Sequence, residues 1–154
     1  MQPFAQLSVF AAAFLVAAAN AQIPRPLCPF RTYRNATSAE SSPSVSDCQG
    51  LLNKLDSTQI WDAADPFEQH EIDTFGDCVI TIRVLTPNSG HGPNDGSQKN
   101  PVYFNGEDLR EVIQASIDKF SKKDADGVAH VGSIGTMLCD DSHNETATVA
   151  FNLY

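Results

Sequence analysis

The sequence predicts an α+β domain in which an antiparallel or mixed sheet of about four or five strands carries two amphipathic helices on one face. Two segments repeat apolar residues at helical spacing, and several others have the alternation or the β-branched content of strands. These elements follow in the order helix, strand, helix, strand, strand. Helices packed on one face of a sheet are the natural arrangement for that order.

The amino terminus is predicted to be an export signal. An apolar run over residues 9–18 is too short to span a bilayer and is followed by Ala19-Asn20-Ala21, a small-x-small cleavage site. We therefore expect residues 1–21 to be a signal peptide and the mature protein to be secreted and extracellular. A buried amino-terminal helix is the alternative, but no polar residue interrupts the run to give such a helix an exposed face.

The charge balance bears on the class of partner. The chain has 19 acidic and 10 basic residues and a formal net charge of −9. Such a surface repels phosphate backbones and anionic lipid head groups, so we expect no nucleic-acid partner. No second apolar run is long enough for a membrane, and we expect no stable membrane insertion. An acidic balance is also an ordinary way for a secreted protein to stay soluble.

The mature chain is predicted to consist of an arm and one domain. Residues 22–42 contain three prolines and a Ser/Thr-rich patch with little periodicity, which indicates an extended N-terminal arm anchored by Cys28. Residues 43–154 have the length of a single α+β domain with one core.

The first helix is predicted to begin after Ser44, which can cap it with Asp47 as its capping-box partner. Gly50 costs this helix roughly 1 kcal/mol relative to alanine, which indicates a close approach by a packed neighbour. The apolar stripe consists of Val45, Cys48, Leu51, Leu52 and Leu55. Trp61 follows the helix and is expected to pack in the core or at its rim.

The clearest strand signal lies within His70–Leu85. Its β-branched and apolar residues alternate, and the face expected to point inward carries Cys78, Ile80, Ile82 and Val84. Residues 86–101 are rich in Gly, Pro, Asn and Ser, so they are predicted to form a long surface loop, mobile or functional.

The second helix is predicted to follow a brief strand at Val102–Phe104. Asn105 can cap it through Asp108, and a buried stripe should make it the main contributor to the core. That stripe consists of Leu109, Val112, Ile113, Ser116, Ile117 and Phe120. The chain then returns to strand over residues 130–139, with two glycines typical of a bulge or a close backbone crossing. Residues 146–154 are predicted as the last strand of a hairpin.

The four cysteines and two sequons are the predicted sites of covalent modification. An even number of cysteines in a secreted chain indicates two disulfides, and the absence of a C-x-x-C spacing argues against structural zinc. The cysteines are Cys28, Cys48, Cys78 and Cys139. In a eukaryotic host the sequons predict surface glycans on Asn35 and Asn144.

The histidines have no obvious nucleophile partner. His70 stands among acidic residues, but no H-E-x-x-H or similar ligand spacing is present, and a solvated acidic turn explains it better. His91 falls in the predicted loop, His130 begins a strand and His143 lies beside a sequon.

The other candidate catalytic groups also fail to form a motif. Ser133 lacks the G-x-S-x-G spacing of a nucleophile elbow, and Asp140 and Asp141 are adjacent in a turn, where their side chains diverge. We therefore expect no enzyme activity, no cofactor and no metal site. A carboxylate pair brought together by folding stays open as the basis of a small hydrolase of wall polymers.

Taken in order, the short motifs resemble one family of secreted proteins. They are Cys28-Pro29-Phe30, Ser42–Cys48, Gly76-Asp77-Cys78, Asp108–Phe120, Val131–Cys139 and the closing Phe151-Asn152-Leu153-Tyr154. In this combination they resemble the fungal secreted effectors of the necrosis-inducing-factor type, whose namesake is extracellular protein two. The chain is also distantly similar to the smut-virus killer-toxin fold, a sheet covered by two antiparallel helices.

The resemblance implies a small disulfide-bonded effector or toxin-like protein, secreted by a fungus. It would bind an extracellular protein or surface component of a host or competitor, with host cell death for some members. The loop 86–101 is longer than this family leads us to expect, and the binding surface could include it. The acidic surface does not suit the lysine-dependent action associated with the toxin, so fold carries over better than activity. A cell-wall-associated protein is the alternative function.

For the disulfides we favour two long-range pairs. A Cys48–Cys78 bond would join the buried face of the first helix to the inward face of the first long strand. A Cys28–Cys139 bond would tie the arm to the sheet. A bond between Cys28 and Cys48 would contradict this pairing.

Overall fold

The computed structural model describes residues 27–38, 41–63, 68–86, 101–140 and 146–154. The predicted signal peptide 1–21, residues 87–100 of the predicted loop, and Asn144 lie outside these described residues. In chain order the elements are β1 (Phe30–Asn35), α1 (Val45–Lys54), β2 (Ile60–Ala63), β3 (His70–Phe75), β4 (Cys78–Thr86), β5 (Val102–Asn105), α2 (Gly106–Phe120), β6 (Lys122–Lys123), β7 (Ala129–His130), β8 (Ser133–Asp140) and β9 (Thr146–Leu153).

The predicted fold class is confirmed. Five strands form an antiparallel sheet in the order β1-β8-β9-β4-β3. α1 packs against β3, β4 and α2, and α2 also contacts β1, so both helices cover the same face of the sheet. Two small ribbons, β2 with β5 and β6 with β7, complete the described elements. The architecture is α+β with two disulfides.

The core lies between the helices and one face of the sheet. Every second residue of β4 and β9 is buried there, as the alternation of a half-buried strand requires. These residues are Cys78, Ile80, Ile82 and Val84 on β4, as predicted, and Ala147, Val149, Phe151 and Leu153 on β9. The helical stripe of α2 meets them with Leu109, Val112, Ile113, Ser116 and Ile117 buried.

Both helices begin at the predicted caps. The Ser44 hydroxyl accepts a hydrogen bond from the Asp47 N–H at 3.0 Å. The Asn105 side chain accepts from the Asp108 N–H at 3.0 Å, and the Asp108 carboxylate accepts from the Asn105 N–H at the same distance, which completes a capping box. These local bonds fix where the chain turns from strand into helix.

Two strands differ from the expectations. The turn predicted around His70 is wrong, because His70–Phe75 forms the edge strand β3, paired with β4. A register shift between Glu71 and Asp73 interrupts the alternation of inward and outward side chains along β3. The sequence of β3 therefore lacks the two-residue period that predicts a strand. β1 lies within the segment predicted as an extended arm and pairs with β8 as the other edge of the sheet.

Aromatic rings pack closely over two glycines. A Cβ on Gly50 would lie 2.3 Å from the Phe75 ring, which confirms the close approach predicted for this position. Gly135 lies in register between Tyr33 on β1 and Phe151 on β9, whose rings meet edge to face at 5.5 Å. The glycine leaves room for that contact, as expected for a closely crossed strand.

We expect the substitution Gly135→Ala to lower the free energy of unfolding by roughly 1–3 kcal/mol, the range for overpacking a filled site. The new Cβ would lie 2.0 Å from the backbone oxygen of Thr32 and 2.5 Å from the Phe151 ring, so strand and ring would both have to move. Urea denaturation measures the effect. The control is Ala150→Ser, which changes a half-buried residue on the neighbouring strand β9 without adding a carbon branch. Gly127→Ala is unsuitable as a control because the φ of Gly127 is 83°. A loss below 0.5 kcal/mol for Gly135→Ala would contradict the packing described here.

Candidate functional site

Among the described catalytic candidates, His70 and Ser133 lie on strands that are not neighbours in the sheet, β3 and β8. His70 lies on β3, with its Nε2 buried and without a hydrogen-bond partner among the described residues. Ser133 is buried and shares a 2.6 Å hydrogen bond with Ser116, whose hydroxyl also donates to the Val112 carbonyl at 2.6 Å. Ser133 is therefore a core residue. His91, Asp141 and His143 lie outside the described residues.

Within the parts of the chain that the structure describes, no cluster of His, Cys, Asp or Glu has the composition of a metal site. In the same parts, no helix combines the length and apolar character needed to cross a membrane.

The two disulfides have the favoured pairing, and all four cysteines are buried. Cys28–Cys139 joins the segment before β1 to β8, with 4.1 Å between the Cα atoms. Cys48–Cys78 joins α1 to the first residue of β4, with a Cα–Cα distance of 5.1 Å. One bond holds the amino-terminal segment on the sheet, and the other holds the first helix there.

A buried carboxylate at the start of α2 collects donors from distant parts of the chain. Asp108 has no exposed surface. Its Oδ1 accepts from the Cys28 N–H at 3.0 Å and from Arg31 Nη2 at 2.8 Å, and its Oδ2 accepts from the N–H groups of Leu27 and Asn105 at 3.1 and 3.0 Å. Asp108 therefore joins the arm, the first disulfide and the helix amino terminus.

Arg31 lies between two carboxylates. Its Nη2 contacts Asp108 and its Nη1 contacts Glu111, one turn later on α2. The side chain of Arg31 is 10% exposed and that of Glu111 is 44% exposed. Folding has thus brought a carboxylate pair together, but one member is saturated by donors and the guanidinium separates the two. This arrangement neutralises charge at the helix start.

A second polar group ties the segment before α1 to the ribbon β6–β7. His130 Nδ1 lies 2.9 Å from the Ser42 carbonyl oxygen, and Nε2 lies 3.0 Å from Asp124 Oδ2. Both neighbours are acceptors, so only the doubly protonated imidazolium can donate to both at once. Lys122 faces His130 across the ribbon, and Asp126 follows in the turn. We call His130, Asp124 and the Ser42 carbonyl the histidine clasp.

The histidine clasp makes stability depend on pH. The hydrogen bond that His130 donates to the Asp124 carboxylate raises the pKa of His130 above its ordinary value of about 6.5, and the same bond lowers the pKa of Asp124. A raised histidine pKa adds stability that is complete below the unfolded value and is lost as pH rises through the folded value. A lowered carboxyl pKa adds stability that is lost in acid, as pH falls through the folded value.

We therefore expect the melting temperature to fall as pH rises above the ordinary histidine value of about 6.5 and through the raised pKa of His130. The variant His130→Gln should weaken this dependence, because glutamine does not titrate. Calorimetry on both proteins in matched buffers measures the difference. Equal slopes for the two proteins over this interval would show that the histidine clasp does not carry the effect.

Four exposed basic side chains lie on edge strand β1, or in the last turn of α2 and the segment after it, where the end of α2 contacts β1. Arg34 lies on β1, Lys119 lies in the last turn of α2, and Lys122 and Lys123 form β6. The Lys119 ammonium lies 4.1 Å from the centre of the Tyr33 ring. We call Arg34, Lys119, Lys122 and Lys123 the basic edge patch. No binding function was predicted for these residues, because they are separated along the chain and the net charge is acidic.

Asn35 lies beside this patch at the end of β1. Its side chain is exposed and its Oδ1 accepts from the Thr37 N–H at 2.8 Å, while the Thr37 hydroxyl donates to the carbonyl oxygens of Phe120 and Gly132 at 3.0 Å each. The surface position suits the glycan predicted there. The second predicted site, Asn144, is outside the described residues.

A known protein family matches the segment that runs from before β1 into β8. The model of the Hce2 family, whose description is "Pathogen effector; putative necrosis-inducing factor", matches residues 27–139. No curated protein matches the chain. The matched span contains all four disulfide cysteines and both helices, and it covers well over half of the 154 residues. The distant similarity to the killer-toxin fold stays an expectation, whereas the resemblance read from the motifs is confirmed: the chain belongs to the Hce2 family of pathogen effectors.

Proposed function

We propose that this protein is secreted and acts outside the producing cell by binding an extracellular protein or surface component of a host or competitor. Death of the target cell is the proposed outcome where that target is present. The observation that carries the proposal is the family match over residues 27–139. The amino-terminal apolar run and cleavage site support export.

The covalent structure agrees with an oxidising destination. All four cysteines are paired, and each is fully buried. Disulfides of this kind persist outside the cell and are rare in reducing compartments. They support a protein that keeps its shape after secretion.

Binding rather than catalysis is the proposed mode of action. Among the described residues, the buried serine pair and the saturated Asp108 are occupied by partners within the fold. The basic edge patch, by contrast, is exposed. A surface that differs in charge from the rest of an acidic protein supports selective recognition of a partner.

Secretion and activity are tested separately. Intact-mass analysis of the protein from culture medium should give a chain that begins at Gln22 and lacks four hydrogens relative to the reduced form. A retained leader or four free thiols would contradict the proposal.

The activity test applies the oxidised protein to leaf tissue and to competing fungi, with ion leakage and hyphal growth as readouts. The control is the same protein after reduction and alkylation of its thiols. Tissue death or growth inhibition by the oxidised form alone would support the proposal and identify the target class. No response in either system, across a panel of hosts and fungi, would contradict it and favour a wall-associated role.

A further inference from the structure

We propose that the free edge of β1, together with the basic edge patch, binds an extended acidic peptide segment of a partner protein, which joins the sheet as a sixth strand. This inference deepens the proposed binding function and rests on it. Strand addition of this kind takes its affinity from main-chain hydrogen bonds and its specificity from side chains along the strand.

The first observation is that the charges of the basic edge patch are not neutralised within the described structure. Arg31 and Lys54 form ion pairs with carboxylates, and Arg110 donates to backbone carbonyl oxygens. The patch residues and Arg83 form no ion pair with any described carboxylate. Four of these five uncompensated cations therefore lie at one edge of a protein whose net charge is −9.

The second observation is that the patch lies on both sides of β1. The hydrogen bond from the Thr37 hydroxyl to the Phe120 carbonyl holds the end of β1 against the end of α2. The contact between Lys119 and the Tyr33 ring also holds β1 against the end of α2. Tyr33 is the residue before Arg34. A strand lying along β1 would therefore have cations near its side chains on either face.

The third observation is that β1 has a free side among the described residues. It is the terminal strand of the described sheet, and its one described partner strand is β8. The Ala36 N–H donates to the Gly132 carbonyl at 3.0 Å, continuing the register of that pair. Antiparallel strands alternate the direction of their main-chain groups, so those of Arg31, Tyr33 and Asn35 point away from β8. These groups form the template for an added strand.

The opposite edge of the sheet, β3, differs from β1 in the regularity of its strand and in the sign of its charges. β3 is interrupted by the register shift between Glu71 and Asp73, and both residues are acidic. A bulge and edge charges are common protections against strand addition. Asp73 is paired with Lys54 at 2.6 Å, which leaves Glu71 as the carboxylate of these two without a described ion pair. An acidic segment is therefore favoured at β1 over β3.

Charge and shape together favour a single extended chain as the partner. A nucleic-acid duplex or an anionic membrane presents a wide surface, which would also meet the exposed carboxylates beside the patch in sequence, Asp118 and Asp126. Asp118 already accepts from Gln114 at 2.8 Å, and Asp124 accepts from His130. A peptide strand can contact the basic edge patch without covering these groups.

The test titrates a labelled eight-residue peptide of alternating Glu and Val, with blocked ends, into the oxidised protein made without N-glycans. Fluorescence anisotropy should show saturable binding at one site. Lys122→Glu should weaken binding at least tenfold. Arg83→Glu is the matched control, because it reverses one exposed charge that likewise lacks a described carboxylate partner but lies on β4, and it should change binding less than twofold.

A second peptide tests strand pairing. The same sequence with alternate amides N-methylated keeps its charge but loses donors for an added strand, so it should bind at least tenfold more weakly. On binding of the unmethylated peptide, hydrogen exchange should slow at the amides of Arg31, Tyr33 or Asn35. Protein that carries a glycan on Asn35 should bind more weakly than protein without one.

The outcomes separate the inference from the function on which it rests. No binding at millimolar peptide, equal binding of the methylated peptide, or equal effects of the β4 and β6 variants would overturn the inference. Polygalacturonate could also bind more strongly than the peptide without slowing hydrogen exchange at the β1 amides. That result would overturn the inference in favour of an acidic polysaccharide. A protein that still kills tissue while binding no acidic peptide would leave the proposed function standing.

Discussion

Replacing Asp108 with alanine is expected to lower the free energy of unfolding by about 3–5 kcal/mol, the range for removing one partner of a buried ion pair. The substitution removes the Asp108 carboxylate from Arg31. The backbone N–H groups of Leu27, Cys28 and Asn105 also lose their Asp108 acceptor. Each unsatisfied buried group carries its own desolvation cost of about 1–3 kcal/mol. Water entering the vacated space can reduce the sum, so the total is smaller than the separate costs.

Denaturant unfolding of the oxidised variant measures this effect. Asp118→Ala is a suitable control, because Asp118 is an exposed carboxylate on the same helix with one hydrogen bond to Gln114. Its loss should be within about 0.5 kcal/mol. If the two variants had similar stability, Asp108 would not have the role that its contacts give it.

The second large effect is expected from the Cys28–Cys139 disulfide. Replacing both cysteines with alanine opens a link between residues 111 positions apart, for which the chain-entropy relation gives about 4.7 kcal/mol. The Cys48–Cys78 link closes a shorter segment, with a separation of 30, and its removal should cost about 3–4 kcal/mol by the same relation. Unfolding curves of the two double variants give the comparison directly.

These two sites should not behave independently. The Cys28 N–H donates to Asp108 at 3.0 Å, so releasing the disulfide also releases part of the carboxylate's hydrogen bonding. Combining Asp108→Ala with the Cys28/Cys139 variant should therefore cost less than the sum of the separate losses. Combining Asp108→Ala with the Cys48/Cys78 variant should be closer to additive. Equal coupling in both combinations would contradict a connection through the arm.

Elements with strong local signals were predicted from the sequence. The caps at Ser44 and Asn105 act within three residues of themselves, and the alternation in β4 needs no knowledge of its partner strands. The glycine at position 50 indicated a close neighbour but not its identity, Phe75. Local hydrogen bonding and periodicity therefore sufficed for the helices and the central strands.

Elements that depend on distant contacts were harder to predict. β1 is an edge strand whose pairing with β8 joins positions about a hundred residues apart, and β3 loses its alternation at a bulge. Asp108 was recognised as a capping residue, yet its bonds to Leu27, Cys28 and Arg31 span separations of 77 to 81 residues. No short-range pattern contains that information.

The candidate binding edge was missed for a related reason. Arg34 and Lys122 are far apart along the chain, and the overall charge of −9 suggested repulsion of every anion. Net charge describes the average surface, whereas recognition depends on the local distribution. Lys119, Lys122 and Lys123 could have been noted as a basic run, but the same run suits the carboxyl end of a helix.

The position of β1 also constrains the order in which the protein matures. This strand ends at Asn35, whereas its neighbours α2 and β8 begin at Gly106 and Ser133, so both are translated after it. Until they exist, Cys28 has no correct partner and Arg31 has no carboxylate to meet. Contacts so distant along the chain form slowly, because loop closure precedes any gain from pairing. β1 is thus translated before the elements that it contacts but reaches its place only after they are made, and correct oxidation of Cys28 must wait until Cys139 has been translated.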